Sequence, residues 1–102
     1  REGEWHLCDR TGWPDNQSCQ NIVAWRWNTG EDWCLIAVNL SDAPAQARVM
    51  LGWEDLSGKK WSLIDQLSGA VFERSGDDMA ASGLYIDLPP WGYHFLDRAQ
   101  HD

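Results

Sequence analysis

The sequence predicts an all-β protein: an antiparallel Greek-key β-sandwich of seven to eight strands, with 1–102 as a single domain. Three observations predict it. Apolar and polar residues alternate over short runs, the period of a strand with one buried face. Turn chemistry interrupts the runs at intervals of roughly 8–12 residues, the spacing of sandwiches and barrels. No stretch of about 15 residues keeps the period of a helix.

Each element has its own reason. Glu4 to Cys8 reads as a short strand, and "DRTGWPDNQSCQ" (9–20) as a polar loop rich in turn formers. In "NIVAWRWN" (21–28), Val23, Trp25 and Trp27 share one face, and Ile22, Ala24 and Arg26 the other. "TGED" (29–32) reads as a turn. "WCLIAVNL" (33–40) is nearly all apolar, as a central strand covered on both sides would be. The two runs predict a hairpin. "ARVML" (47–51) is a further strand, and "GWEDLSGKK" (52–60) holds a turn at Ser57-Gly58. "WSLIDQL" (61–67) alternates again. "SGAVFER" (68–74) turns at Ser68-Gly69 and gives a short strand, and "SGDDMAAS" (75–82) reads as a loop.

Leu84 to Leu88 and Trp91 to Asp97 flank Pro89-Pro90. Proline has no N–H to give a ladder, so the pair ends one strand and leads stiffly into the next. In the last strand Trp91, Tyr93 and Phe95 share a face, and the expectation is that this aromatic row closes the core.

Composition narrows the function. Eight tryptophans stand among 102 residues, pointing to core anchors, sugar stacking or an interface with another domain. The net charge is −8, and no basic stripe appears, which argues against nucleic acid and anionic membranes as partners. The longest apolar run, Trp33 to Val38, is too short to cross a bilayer. The chain starts with Arg1 and shows no signal-peptide pattern. We read it as a piece of a longer, soluble protein, cytoplasmic in preference to secreted.

Cys34 reads as a small buried hydrophobe. Cys8 and Cys19 flank a loop, either as free thiols or as a pair. No zinc-ligand spacing occurs, and His6, His94 and His101 are scattered, so neither a metal nor another cofactor is expected. No nucleophile elbow, P-loop or dinucleotide fingerprint is present. Asp65, Glu73, Asp77, Asp78 and Asp87 supply carboxyl groups, yet nothing singles out a catalytic pair among them. "NQS" (16–18) and "NLS" (39–41) match the glycosylation triplet, which arises often by chance. Cys19 and Cys34 bracket Trp25 too closely for an immunoglobulin-type bridge.

"CLIAVNLSDAPAQARVML" and "WSLIDQLSGAVFERSGDDMAASGLYIDLPPWGYHFL" together resemble the C-terminal β-sandwich domain of the alpha-amylase family of glycoside hydrolases. An apolar strand ends in Val-Asn-Leu-Ser. A Trp-initiated strand carries Asp-x-Leu, a Phe-Glu-Arg hairpin follows, and a Gly-Leu-Tyr-x-Asp-Leu-Pro strand leads to the aromatics. "GEWHLCDRTGWPDNQSCQNIVAWRW" looks like the entry from a barrel's last helix. The resemblance implies a non-catalytic domain that packs on and stabilises the catalytic (β/α)8 barrel of its own parent chain, an enzyme acting on α-glucans. It implies no catalytic residue here, because the family's nucleophile and acid lie on the barrel. A barrel needs ~250 residues and does not fit in this chain.

The alternative expectation is an independent module binding starch or another α-glucan through surface tryptophans. Trp13 and Trp53 are its candidates, because both sit in loop-like sequence and loops run over the surface. Beside it stands a plainer reading, in which they plug the ends of the sandwich or touch the barrel. Trp25, Trp27, Trp61 and Trp91 are expected in the core or between domains.

Overall fold

A computed structural model describes residues 4–29, 32–53 and 55–101. Two antiparallel sheets pack face to face. The strands are β1 (Glu4–Leu7), β2 (Arg10–Thr11), β3 (Ile22–Thr29), β4 (Asp32–Asn39), β5 (Ala45–Val49), β6 (Lys60–Asp65), β7 (Val71–Ser75), β8 (Leu84–Leu88) and β9 (Tyr93–His101). The larger sheet has the order β1-β3-β4-β9-β6-β7, and the smaller β2-β5-β8. The late return of β9 between β4 and β6 supplies the Greek-key character.

The all-β sandwich is as expected, with nine strands rather than seven to eight. The extra one is β2, two residues inside the 9–20 segment, held by pairing Arg10 with Val49 and Thr11 with Arg48. The 75–82 segment is a helix, α1 (Gly76–Ser82), rather than a loop. Ser75 caps it by accepting from the Asp78 N–H, and Asp77 and Asp78 complement the positive end. Only Gly fits at 76: a Cβ there would lie 1.6 Å from the Leu56 carbonyl oxygen. The predicted hairpin forms, with β3 and β4 in register from Ile22↔Asn39 to Thr29↔Asp32. Gly30 and Glu31 of its predicted turn lie outside the described residues.

The core lies between the sheets. β5 contributes Ala45, Ala47 and Val49, and β8 contributes Leu84, Ile86 and Leu88. Opposite them lie Ile22, Ala24, Leu35, Ala37, Leu63 and Leu96 of the larger sheet. Four of these facing positions are alanines with no exposed surface, so the layers approach closely where β3 and β4 meet the smaller sheet.

Pro89-Pro90 carries the chain from the smaller sheet to the larger. Asn39, fully buried, fixes that crossing: its Nδ2 donates to the carbonyls of Ala43 (2.8 Å), Leu88 (3.3 Å) and Pro89 (3.0 Å). Its Oδ1 accepts from the Ser41 N–H and Oγ. Asn16 and Ser18 repeat the same turn in the other triplet. Both N-x-S triplets are internal staples. Trp91, at φ 58, completes the crossing in the left-handed region, and the Gly92 N–H donates to the Pro89 carbonyl.

Candidate functional site: an apolar outer sheet face

The strand registers define what the larger sheet turns away from the core. One row crosses four strands as Leu7–Trp25–Ile36–Phe95. A second runs Trp5–Trp27–Cys34–Asp97–Ile64–Val71 across all six. A third is Val23–Val38–Tyr93. Asp97 is the one charged residue in these three rows. The interior alternates with them, since Ala24, Leu35 and Ala37 point the other way.

Much of this face is open. Leu7, Val71 and Tyr93 are more than half exposed, and Trp5 is 42 % exposed. Trp25, Trp27, Ile36, Val38 and Phe95 are half-buried by their neighbours alone. Trp5 and Trp27 pack with centroids 6.0 Å apart. Exposed apolar faces of this breadth are the kind that interaction surfaces present. The expectation that Trp91, Tyr93 and Phe95 close the core is therefore corrected. Tyr93 and Phe95 belong to the outer face, and Trp91 is 61 % exposed at the crossing. The inward positions of β9 belong instead to His94, Leu96 and Arg98, which share a face with Ala37, Leu35 and Leu63.

Cys34 is buried, as its sequence setting predicted, but on the outer side, beneath its neighbours. Burial and the nearby Asp97 charge push its thiol up to about 11. Burial also raises the Cys8 thiol, against the opposing Arg26 charge. Cys8 and Cys19 are both buried and both free.

The inner side holds a different tryptophan cluster. The Arg98 guanidinium lies 4.2 Å from the Trp33 ring centroid, 4.2 Å from Trp61 and 5.1 Å from Trp53. It reaches Asp55 through two hydrogen bonds, 2.7 and 2.8 Å, which hold that carboxyl below its ordinary value. Trp61 donates its Nε1–H to the Leu56 carbonyl at 3.2 Å.

Trp53, a candidate sugar platform, belongs to this cluster. It is 5 % exposed and packs edge-on to Trp33, 5.4 Å away. Its loop folds inward because the ring can bury against Arg98 and the other indoles. Trp13, the other candidate, is half-buried on the outside of the smaller sheet, 5.9 Å from Tyr85. The structure does not bring the two together.

Of the remaining polar candidates the structure brings Asp65 and His94 together. Asp65 is buried and its Oδ2 lies 2.9 Å from His94 Nδ1, while its Oδ1 accepts from the Leu67 N–H. Burial alone would raise this carboxyl. The bonds from His94 and from backbone N–H groups outweigh it and hold the group below the usual carboxylate range. His94 also lines a cleft of about 110 Å³ beside Phe72, Leu63 and Ile86. Asp77 caps the Gly58 N–H, Asp87 accepts from Gln46, and Glu73 stands exposed on β7. His6 lies on β1, with two strands between it and β9. The His101 side chain lies outside what is described. Among the described residues no group of three or more His, Cys, Asp and Glu could hold a metal ion, and no helix is long and apolar enough to cross a membrane.

Comparison of the sequence with protein-family models finds no match, and comparison with curated proteins finds none.

Proposed function

We propose that this chain is a non-catalytic β-sandwich domain that packs on the catalytic (β/α)8 barrel of its own parent chain, an alpha-amylase-like enzyme acting on α-glucans. The single observation that carries the reading is the outer face of the larger sheet. Its rows through Trp25, Ile36 and Phe95 are apolar across strand after strand, with the smaller sheet already covering the opposite side. Layered architectures bury such a face against a second element. The resemblance of "CLIAVNLS" and "GLYIDLPPWGYHFL" to the C-terminal domain of that family supports the same partner.

The test uses the parent chain read from the native gene. Barrel and sandwich are expressed as separate pieces and mixed. We expect a stable complex that Trp25→Lys and Ile36→Lys each disrupt, and no reducing sugar released from maltoheptaose by the sandwich alone. A complex indifferent to both substitutions, or hydrolysis by the isolated sandwich, overturns the reading.

A further inference from the structure

The two sheets differ in width. β5 lies across from β3 and β8 across from β4, so β9, β6 and β7 continue past the smaller sheet. At one end the inner side of this overhang is covered by the segment holding Trp53 and Leu56 and by α1. At the other end it is open. There the cleft of about 110 Å³ lies between Leu63, Phe72, His94 and Leu96 of the larger sheet and residues 84–87 of β8.

Inward and outward residues of β8 border this cleft alike, so it runs along the main-chain edge of the strand. Among the described strands β8 pairs with β5 alone, which leaves that edge unpaired. The groups it offers follow from the register. The Met50 N–H donates to the Asp9 carbonyl and the Gln46 N–H to Ser18 Oγ, so this set of alternate residues turns its main chain away from β8. Ala45, Ala47 and Val49 turn theirs toward it, opposite Leu88, Ile86 and Leu84. Tyr85 and Asp87 therefore present N–H and C=O to the open edge, a template for one more strand. The cleft wall is set beforehand. Asp65 holds His94 Nδ1 at 2.9 Å, and the His94 and Phe72 rings meet edge-on, centroids 5.4 Å apart. Arg74 also borders the cleft, its guanidinium carbon 5.6 Å from the Phe72 centroid and one N–H given to the Glu73 carbonyl.

We propose that the edge of β8 binds an extended peptide segment of a partner protein, as an antiparallel fourth strand of the smaller sheet. One aliphatic side chain enters the cleft, and an acidic side chain two residues away meets Arg74. Each feature of that ligand answers to a feature of the site. The main-chain groups of Tyr85 and Asp87 supply affinity that an extended backbone can use. Side chains of a strand alternate, so those on the cleft side are two residues apart. A cleft of about 110 Å³ suits one aliphatic side chain, since an apolar cavity of ~150 Å³ already takes a benzene ring. Leu63, Leu84, Ile86 and Leu96 line it with carbon. Arg74 is the cation of the lining and selects a carboxylate. Asp87 borders the cleft too, but its carboxylate accepts from Gln46 on the outer side. A second copy of this domain is the wrong shape, because its own overhang of β9, β6 and β7 would enter the space the first overhang occupies. The site lies on the inner side of the larger sheet, so it does not rest on the docking of the apolar outer face.

The experiment is an NMR titration of the ¹⁵N-labelled chain with the synthetic peptide Ac-Ser-Thr-Leu-Thr-Glu-Thr-Lys-NH2, whose Leu and Glu share one face of a strand. Saturable shifts are expected at the amides of Phe72, Tyr85, Asp87 and His94, and none at Trp25 or Ile36 of the outer face. N-methylation of the threonines, whose N–H groups face β8 in an antiparallel pair, abolishes binding. Replacing the peptide's Leu with Ala weakens it at least about tenfold. Replacing its Glu with Gln weakens it about two- to fivefold, and in the Arg74→Gln variant that preference disappears. Asp87→Pro removes an edge N–H but none of the bonds to β5, and it abolishes binding, whereas Asp87→Asn retains it. The N-methylated peptide tests the edge even where Asp87→Pro fails to fold. No saturable shift, shifts confined to the outer face, or equal binding of the N-methylated peptide overturns the proposal. So does an Asp87→Pro variant that dissolves a dimer of the chain, which would make the edge a contact between copies.

Discussion

Tryptophan serves two purposes in this molecule, and the contrast between the two sides of the larger sheet shows how. On the inner side Trp33, Trp53 and Trp61 surround the side chain of Arg98, which is 6 % exposed. On the outer side Trp5, Trp25 and Trp27 lie in rows with aliphatic neighbours and remain partly open. The inner group packs its rings within the chain, with Trp61 hydrogen-bonded to Leu56 and the buried Trp53 Nε1–H meeting no acceptor among the described residues. The outer group leaves its contacts incomplete. Residue type alone therefore says that area is to be buried, and the register says on which side.

The strongest way to break this contrast is to truncate one ring from each group. Trp61→Ala removes a ring from the Arg98 stack and the Nε1–H bond to Leu56, and leaves a cavity. We expect a loss of about 3–5 kcal/mol, read as a lower urea midpoint at pH 7. Trp5→Ala, on the exposed edge strand, should cost no more than about 1 kcal/mol. Equal losses would show that the outer ring is as much part of the fold as the inner.

A smaller effect tests the inner side through pH. The folded values of Asp65 and Asp55 lie below the ordinary carboxylate range, for Asp65 by hydrogen bonds that overcome burial and for Asp55 chiefly by the Arg98 bond. A depressed folded pKa contributes stability above the unfolded value of about 3.9, and that stability is lost as pH falls through the folded value. The urea midpoint should fall as pH drops below about 4. Asp65→Asn should cost about 1.5–3 kcal/mol at pH 7, since it weakens the bond to His94 inside the fold. It should also flatten the acid decline. A variant that declines in acid as steeply as the parent would assign that decline to other carboxylates.

The alternation of Val23, Trp25 and Trp27 with Ile22, Ala24 and Arg26 is visible in the sequence, and so is the hairpin it forms with 33–40. What periodicity leaves open is which of the two faces is covered. Bulk is a misleading guide here. Where β3 and β4 meet the smaller sheet the inward positions are Ala24, Ala37, Ala45 and Ala47, and Trp25 and Trp27 stand outside, while Trp33, Trp53 and Trp61 lie inward around Arg98. The register of β9 against β4 and β6 likewise puts Tyr93 and Phe95 out and His94, Leu96 and Arg98 in. Helix α1 escapes a periodicity search because seven residues make only two turns. Its legible signal is Ser75 followed three residues later by Asp78, a cap rather than a stripe. Nothing in the sequence marks Tyr85 as the neighbour of Trp13, because its strand alternates like any other. Only the pairing of β5 with β8 puts it beside Arg48 and near the 12–17 loop.

The smallest effect on stability carries the largest consequence for association. Leu7 and Tyr93 belong to the outer rows, and each is more than half exposed. Replacing either with lysine removes few internal contacts, so Leu7→Lys and Tyr93→Lys should each shift stability by no more than about 0.5 kcal/mol. Each nonetheless places a solvated charge in an apolar patch that burial elsewhere would have to dehydrate. At high concentration the unsubstituted 102-residue chain, with this face uncovered, should self-associate in sedimentation experiments, and the Leu7→Lys/Tyr93→Lys double variant should remain monomeric. A double variant that unfolds would place these side chains in the fold itself. An unsubstituted chain that stays monomeric at millimolar concentration would mean that the exposed rings are too dispersed to act as one surface. The contrast between the two sides of the sheet would then reduce to a difference in exposure.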